Sequence, residues 1–138
     1  MRAPAIFAAL LMTLTPGVAK AHEFVAYFDP GSSLLTPAGY QMVRSAAYYA
    51  DRPDVSRILL VGHLDTREGD EYSDELGLMR TQAVATELVL LGVDPALIKM
   101  ETRGDRALAR PTPDGTDEPL NRRVTLGINT GRPEATPR

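Results

Sequence analysis

The chain has 138 residues, enough for one domain, and its 43% hydrophobic and 24% charged content is ordinary for a globular protein. Its formal net charge of −3 argues against a nucleic-acid binder, which would present a basic face. The sequence has no cysteine, which excludes disulfides and thiolate metal sites within it and predicts no lipid anchor of the bacterial lipoprotein type.

The first 21 residues have the pattern of a cleavable signal peptide. Arg2 forms a short basic region, an apolar run extends from Ile6 to Leu14, and Ala19-Lys20-Ala21 fits a cleavage site. The apolar run is shorter than the ~20 residues that a membrane-spanning helix needs. We therefore predict export, a folded domain at 22–128, no membrane span, and a disordered tail at 129–138.

Hydrophobic periodicity predicts the element order β-α-β-α-β-β. Strands are expected at 23–28, 57–61, 97–102 and 123–128, with one helix from Thr36-Pro37 to Asp51 and another from Tyr72 to Leu91. The polar stretch 65–71 is expected to be a loop. Helices that alternate with strands indicate crossover connections, and the last two strands are expected to pair antiparallel. The predicted fold is α+β, a two-layer α/β sandwich with a mixed sheet.

Three groups of charged residues form a candidate binding site. Asp65 follows an apolar strand, Arg80 lies fifteen positions later in a helix, and Asn121-Arg122-Arg123-Val124 opens the last strand. An isolated carboxylate facing guanidinium groups suits a zwitterionic ligand, because charge-assisted and bidentate hydrogen bonds are strong and orienting. Since adjacent strand residues point to opposite faces, only one of Arg122 and Arg123 is expected to face the crevice.

The same residues resemble the OmpA-like C-terminal domain family. The motifs that carry the resemblance are Gly62-His63-x-Asp65 with Tyr72, Leu76, Arg80 and Val84; Asn121-Arg122-Arg123-Val124; Tyr27-Phe28-Asp29; Leu35-x-Pro37-x-Gly39; and Gly92-Val93-Asp94-Pro95. The match covers roughly 24–128. The resemblance implies non-catalytic binding of peptidoglycan in the periplasm, with no cofactor and no metal. It also implies that Asp65 and Arg80 hold the stem peptide, commonly at diaminopimelate.

Several positions depart from the family pattern. Leu64 stands where threonine is usual and Ser73 where asparagine is usual, so both are counted with the ligand-binding positions and are expected to weaken the pocket. Glycine is common at the position of Glu68, and the loop here carries one more negative charge. Serine is usual at Gly77 and alanine at Thr81.

Other interpretations remain open from the sequence. Asp65 and Arg80 can form an internal salt bridge that only pins the loop to the helix. His63 is interpreted as a hydrogen-bonded structural residue, since no spacing of ligands supports zinc. The acidic cluster is interpreted as a solvated loop matched to the helix dipole, rather than a calcium site or the acid pair of a wall hydrolase; it comprises Glu68, Asp70, Glu71, Asp74 and Glu75. The alternative function is an adaptor that recruits an envelope protein through a weakened pocket.

Overall fold

The computed structural model describes residues 20–131. Most of the predicted signal peptide and the last residues of the predicted tail lie outside the described residues. The elements are β1 (Lys20–Tyr27), α1 (Pro37–Ala50), β2 (Val55–His63), α2 (Thr66–Glu71), α3 (Glu75–Leu90), β3 (Ile98–Gly104) and β4 (Arg123–Thr130), with short 3-10 turns at Pro95–Leu97 and Pro119–Asn121. No helix within residues 20–131 is long and apolar enough to cross a membrane.

The four strands form one mixed sheet in the order β1-β4-β2-β3. β3 pairs parallel with β2, and β4 pairs antiparallel with both β1 and β2. The predicted α+β two-layer fold is confirmed, but the expected pairing of the last two strands is wrong. β4 takes a central position because Val124, Leu126 and Ile128 are fully buried, whereas β3 has exposed side chains that suit a sheet edge.

Both long helices pack against one face of the sheet. Alternate residues of β4 are buried while the others stay partly exposed, which is the pattern of a sheet covered on one side. The core joins strand residues to the apolar faces of α1 and α3; its fully buried members include Val43, Ile58, Leu60, Val84, Leu88, Leu126 and Ile128. The apolar residues Met79, in α3, and Leu91, directly after it, are exposed.

A close backbone contact sets the position of α3. A Cβ atom at Gly62 in β2 would lie 2.1 Å from the carbonyl oxygen of Gly77 in α3. Only glycine at position 62 allows this approach, because the obstacle is backbone and cannot rotate away. Arg80 follows Gly77 by about one helical turn, so the contact brings its side chain to the carboxyl end of β2.

Residues 66–71 form the short helix α2, so the prediction of a loop in this stretch is wrong. Asp65 is its N-cap: Asp65 Oδ1 accepts a hydrogen bond from Glu68 N at 2.7 Å, and Glu68 Oε1 accepts one from Asp65 N at 3.2 Å. This reciprocal capping box stabilises the helix start. α3 consequently begins at Glu75 and not at Tyr72.

The two ends of the described chain lie side by side. Lys20 pairs with Thr130, and Thr130 also pairs with Val55 at the start of β2. β4 therefore continues past the predicted strand end at Ile128, into residues that were assigned to the disordered tail. β1 likewise begins before the predicted domain start at residue 22.

Candidate functional site

Arg80 and Glu68 form a buried ion pair at the carboxyl end of β2. Arg80 Nη1 donates to Glu68 Oε1 at 2.8 Å, and Arg80 Nη2 donates to Glu68 Oε2 at 2.5 Å. The Arg80 side chain is 0% exposed and that of Glu68 is 3% exposed. The pair is bidentate, the geometry in which a guanidinium and a carboxylate interact most strongly.

The remaining donors of Arg80 bind three backbone carbonyls. Nε donates to the Ser32 oxygen at 2.8 Å, Nη1 to the His63 oxygen at 3.1 Å, and Nη2 to the Asp29 oxygen at 3.2 Å. A guanidinium has five N–H donors, and with Glu68 all five of Arg80 are used within the chain. Arg80 therefore has no free donor for a ligand while Glu68 is in place.

Asp65 pairs with Arg122. Asp65 Oδ2 accepts from Arg122 Nη1 at 3.0 Å and from Glu118 N at 3.1 Å, while Oδ1 caps α2. Arg122 Nε donates to the Phe28 oxygen at 3.0 Å, and its Nη1 also contacts the half-exposed Asp117. Asp65 is 1% exposed, so it is not the isolated, open carboxylate that the sequence predicts.

The structure thus separates the predicted Asp65–Arg80 pair. Within residues 20–131 no hydrogen bond or ion pair joins these two side chains; each pairs with a different partner. The interpretation as internal ion pairing is right for both residues but wrong about the partner. The reason is α2, which turns Glu68 toward Arg80 and leaves Asp65 facing Arg122.

The other predicted site residues fall in different environments. Arg122 is the arginine that lies with Asp65, while Arg123 Nη2 donates to the Ala107 oxygen at 3.1 Å and burial lowers the pKa of Arg123. Leu64 is 1% exposed and packs in the interior. Ser73 is exposed before α3, where its Oγ accepts from Glu75 N at 3.3 Å. Neither Leu64 nor Ser73 makes a described hydrogen bond to the charged pairs.

The buried charges reach the surface at Arg122. A cleft of about 220 Å³ is lined by Tyr27, Phe28, Asp29, Thr36, Pro119, Leu120 and Arg122. Arg122 Nη2 has no described hydrogen-bond partner within residues 20–131, and the side chain is 7% exposed. This nitrogen is therefore a donor that the charged cluster can offer to a ligand carboxylate.

Comparison with known proteins identifies the family. Residues 27–122, more than half of the chain, match the model of the OmpA family. The chain belongs to the OmpA family. The predicted resemblance is confirmed, and the four-stranded mixed sheet with its helices is the fold of this family.

Two curated relatives are similar in sequence to this OmpA-family chain. The peptidoglycan-associated lipoprotein of Pseudomonas putida is 36% identical over 105 residues, covering 72% of this chain and 60% of the relative. An outer membrane protein of Gluconacetobacter diazotrophicus is 30% identical over 112 residues, covering 77% of this chain and 30% of the relative. The chain thus spans less than two thirds of the length of either relative.

Solved structures give the same fold. The peptidoglycan-associated lipoprotein from Burkholderia pseudomallei superposes with a TM-score of 0.68 at 29% identity, covering 76% of this chain and 89% of that one. The OmpA-like domain of FopA1 from Francisella tularensis superposes with a TM-score of 0.69 at 22% identity, covering 86% and 84%. The second likeness supports the fold alone.

Glu68 is the site residue that sequence reasoning missed. The sequence predicts a solvated acidic loop at this position, but the carboxylate of Glu68 is buried against Arg80. The spacing Asp65-x-x-Glu68 is a capping-box pattern and is the signal that could have identified α2. The acidic neighbours Asp70 and Glu71 are exposed as expected, and Asp74 pairs with Arg106. Among residues 20–131 no group of three or more carboxylate or imidazole side chains is placed to hold a metal.

His63 is buried in its neutral form. Burial, together with the positive charges of Arg123 and Arg103, lowers the pKa of His63 from 6.5 to about 4. Its carbonyl holds Arg80, whereas its ring Nδ1 has no hydrogen-bond partner within residues 20–131. His63 is therefore a buried structural residue, but within residues 20–131 its Nδ1 lacks the hydrogen bond that the sequence interpretation expected, and it acts on the site through its backbone carbonyl.

The lowered pKa of His63 predicts a loss of stability in mild acid. The unfolded chain takes up the proton at about 6.5 and the folded chain only near 4, so protonation favours unfolding as the pH falls between these values. We expect this group to reduce the free energy of unfolding by about 2 kcal/mol by about pH 5. Urea denaturation of wild type and His63→Gln across this range measures the difference.

The exposed His22 provides a control for this prediction. His63→Gln should flatten the wild-type pH dependence over this range, and His22→Gln is compared as the same substitution at an exposed histidine. Parallel curves for wild type and His63→Gln would contradict the prediction.

Proposed function

We propose that this chain binds peptidoglycan non-covalently in the periplasm, without catalysis, at the cleft beside Arg122 and Asp65. The observation that carries the proposal is the charged cluster at the carboxyl end of β2, where two carboxylate–guanidinium pairs are buried and one guanidinium opens to a cleft. Two relatives are named peptidoglycan-associated lipoproteins, which supports the same ligand class.

Energetics favour a binding role for this cluster. A buried ion pair adds little net stability, because desolvation of both charges offsets their attraction. An array of such pairs beside a cleft at the carboxyl end of a central strand fits ligand recognition better than scaffolding. A stem peptide supplies both carboxylate and ammonium groups, which match the two signs of charge in the cluster.

The contacts can be assigned from the open groups. Arg122 Nη2 would donate to a stem-peptide carboxylate, and the half-exposed Asp117 beside it would accept from an ammonium. Asp65 and Arg80, the predicted grip, form the inner part of the proposed site. They become available only if the ligand displaces Arg122 from Asp65 and Glu68 from Arg80.

Co-sedimentation with purified sacculi tests the proposal. Wild type should sediment, and Arg122→Lys should bind about tenfold more weakly, because lysine keeps the charge near Asp65 but loses the free fork nitrogen. Arg106→Lys is the matched control, since Arg106 forms an exposed ion pair with Asp74 outside the cleft. Equal sedimentation of Arg122→Lys and wild type would contradict the assigned contact.

The second candidate is an adaptor that binds an envelope protein. It is favoured by the complete use of the Arg80 donors within the chain, which leaves the inner pocket without capacity for a ligand. If wild type does not sediment with sacculi even at low ionic strength, where charge interactions are least screened, the adaptor becomes the better function. Release of soluble muropeptides by the purified protein would instead indicate a hydrolase.

A further inference from the structure

The carboxylate of Glu68 lies in a complete anion-binding site. It accepts from both terminal nitrogens of Arg80, from Gly31 N at 2.8 Å and from Asp65 N at 3.2 Å. Each carboxylate oxygen therefore receives one guanidinium and one backbone hydrogen bond. The site supplies four donors to one carboxylate, all that its two oxygens can ordinarily accept.

The guanidinium of Arg80 is held in place by contacts that do not involve Glu68. Three carbonyls, of Asp29, Ser32 and His63, fix the guanidinium of Arg80. Gly31 has a φ of +65°, and a Cβ there would lie 2.5 Å from the Tyr72 hydroxyl, so this backbone conformation needs glycine. A site fixed in this way keeps its shape when its occupant changes.

The occupant is carried by a small element. α2 has only six residues, and Glu68 is the member of it that reaches Arg80. The neighbouring acid Glu71 is exposed and pairs with Arg67 along the same helix. Three of the four donors, from Arg80 and Gly31, thus come from segments other than α2, and tertiary folding brings them to Glu68.

We propose that Glu68 is a built-in occupant of a carboxylate-binding site, and that Arg80 takes a carboxylate from another molecule only when Glu68 is withdrawn. The ligand class is a small molecule or peptide with a free carboxylate, for which the Glu68 side chain is the intramolecular competitor. This inference rests on the inner part of the site in the proposed function and adds the side chain that competes for Arg80; the carboxylate chemistry is the same whether or not the external carboxylate belongs to peptidoglycan.

Chemical rescue tests the inference with formate as the probe. Glu68→Ala removes the competitor and leaves Arg80 without a counter-charge, so formate should bind and raise the melting temperature on the order of 5 °C above the same concentration of chloride. Glu68→Gln, which keeps the side-chain shape, is measured in parallel in case the alanine variant does not fold in chloride. Wild type and the control Glu71→Ala should show no formate-specific gain.

Each outcome decides the proposal. Recovery of folding or a formate-specific rise in melting temperature in either Glu68 variant supports it, and its loss in Glu68→Ala/Arg80→Met assigns the effect to Arg80. The proposal is overturned if formate raises neither the melting temperature nor the folded fraction of either Glu68 variant above the value in chloride. It is also overturned if formate raises the melting temperature of wild type equally.

Sacculus binding separates this inference from the proposed function. If formate rescues a Glu68 variant but neither that variant nor wild type sediments with sacculi, the carboxylate site stands and the peptidoglycan proposal fails. If wild type sediments and no Glu68 variant responds to formate, the peptidoglycan proposal stands and the carboxylate site fails. Stronger sedimentation of Glu68→Gln than of wild type is the result expected when both are right.

Discussion

Arg80→Met is expected to lower the free energy of unfolding by about 3–5 kcal/mol. The substitution leaves the Glu68 carboxylate buried without its guanidinium and removes the donors to the carbonyls of Asp29, Ser32 and His63. An uncompensated buried charge is among the most destabilising defects in a protein interior. Urea denaturation followed by circular dichroism measures the loss.

The partner substitution should offset part of this loss. In Arg80→Met/Glu68→Leu both charges are gone, so the double variant should lose less stability than the sum of the two single substitutions, with a coupling energy of about 1–3 kcal/mol. Additive effects of the two substitutions would show that the ion pair is not the source of the loss. Because Arg80→Met lowers stability, a loss of binding in an Arg80 variant reflects loss of folding as well as loss of contact with the ligand.

Asp65→Ala is expected to cost about 3 kcal/mol of unfolding free energy. The carboxylate caps α2 through Glu68 N, accepts from Glu118 N, and neutralises Arg122. Removal of a helix cap alone costs about 1 kcal/mol, and the unsatisfied buried donors account for the rest. Thermal and urea denaturation give the value.

Asp65→Asn separates the cap from the charge. Asparagine still accepts at the N-cap position, so its loss should be about half that of alanine and should reflect mainly the weakened contact to Arg122. The exposed Asp70 gives a control, since Asp70→Ala should change stability by less than about 0.5 kcal/mol. Equal losses for Asp65→Asn and Asp65→Ala would contradict the capping role.

The elements of the fold could be predicted because their signals are local. Thr36 accepts a hydrogen bond from Gly39 N at 3.0 Å, as expected of an N-cap before Pro37. The neighbours of a strand are not local information, since β4 pairs with β1 and β2 across most of the chain. The order of the strands in the sheet depends on which strands have the more buried side chains. Hydrophobic periodicity alone does not rank β3 and β4 in this respect.

The site could be predicted as a place but not as a set of contacts. The sequence indicates Asp65, Arg80 and one of two arginines, and these residues do lie at one end of β2. Which carboxylate meets which guanidinium depends on α2, a helix of six residues whose start is signalled only by Asp65 and Glu68 themselves. A charged residue in a polar stretch is usually solvated. Glu68 is buried because α2 packs against Arg80, and the spacing of residues in the sequence does not reveal this tertiary contact.

The pairing of Lys20 with Thr130 has a practical consequence for experiments on this chain. Thr130 lies beside Val55 at the start of β2 and Lys20 lies one strand further on, while His63 and the charged cluster lie at the far end of β2, about 25 Å away along the strand. A fluorescent protein or affinity tag whose flexible linker leaves the domain beside Thr130 would start from the end of the sheet opposite the cleft. Immobilising the protein on that side of the sheet likewise presents Arg122 to the solution, an orientation suited to surface-based binding measurements.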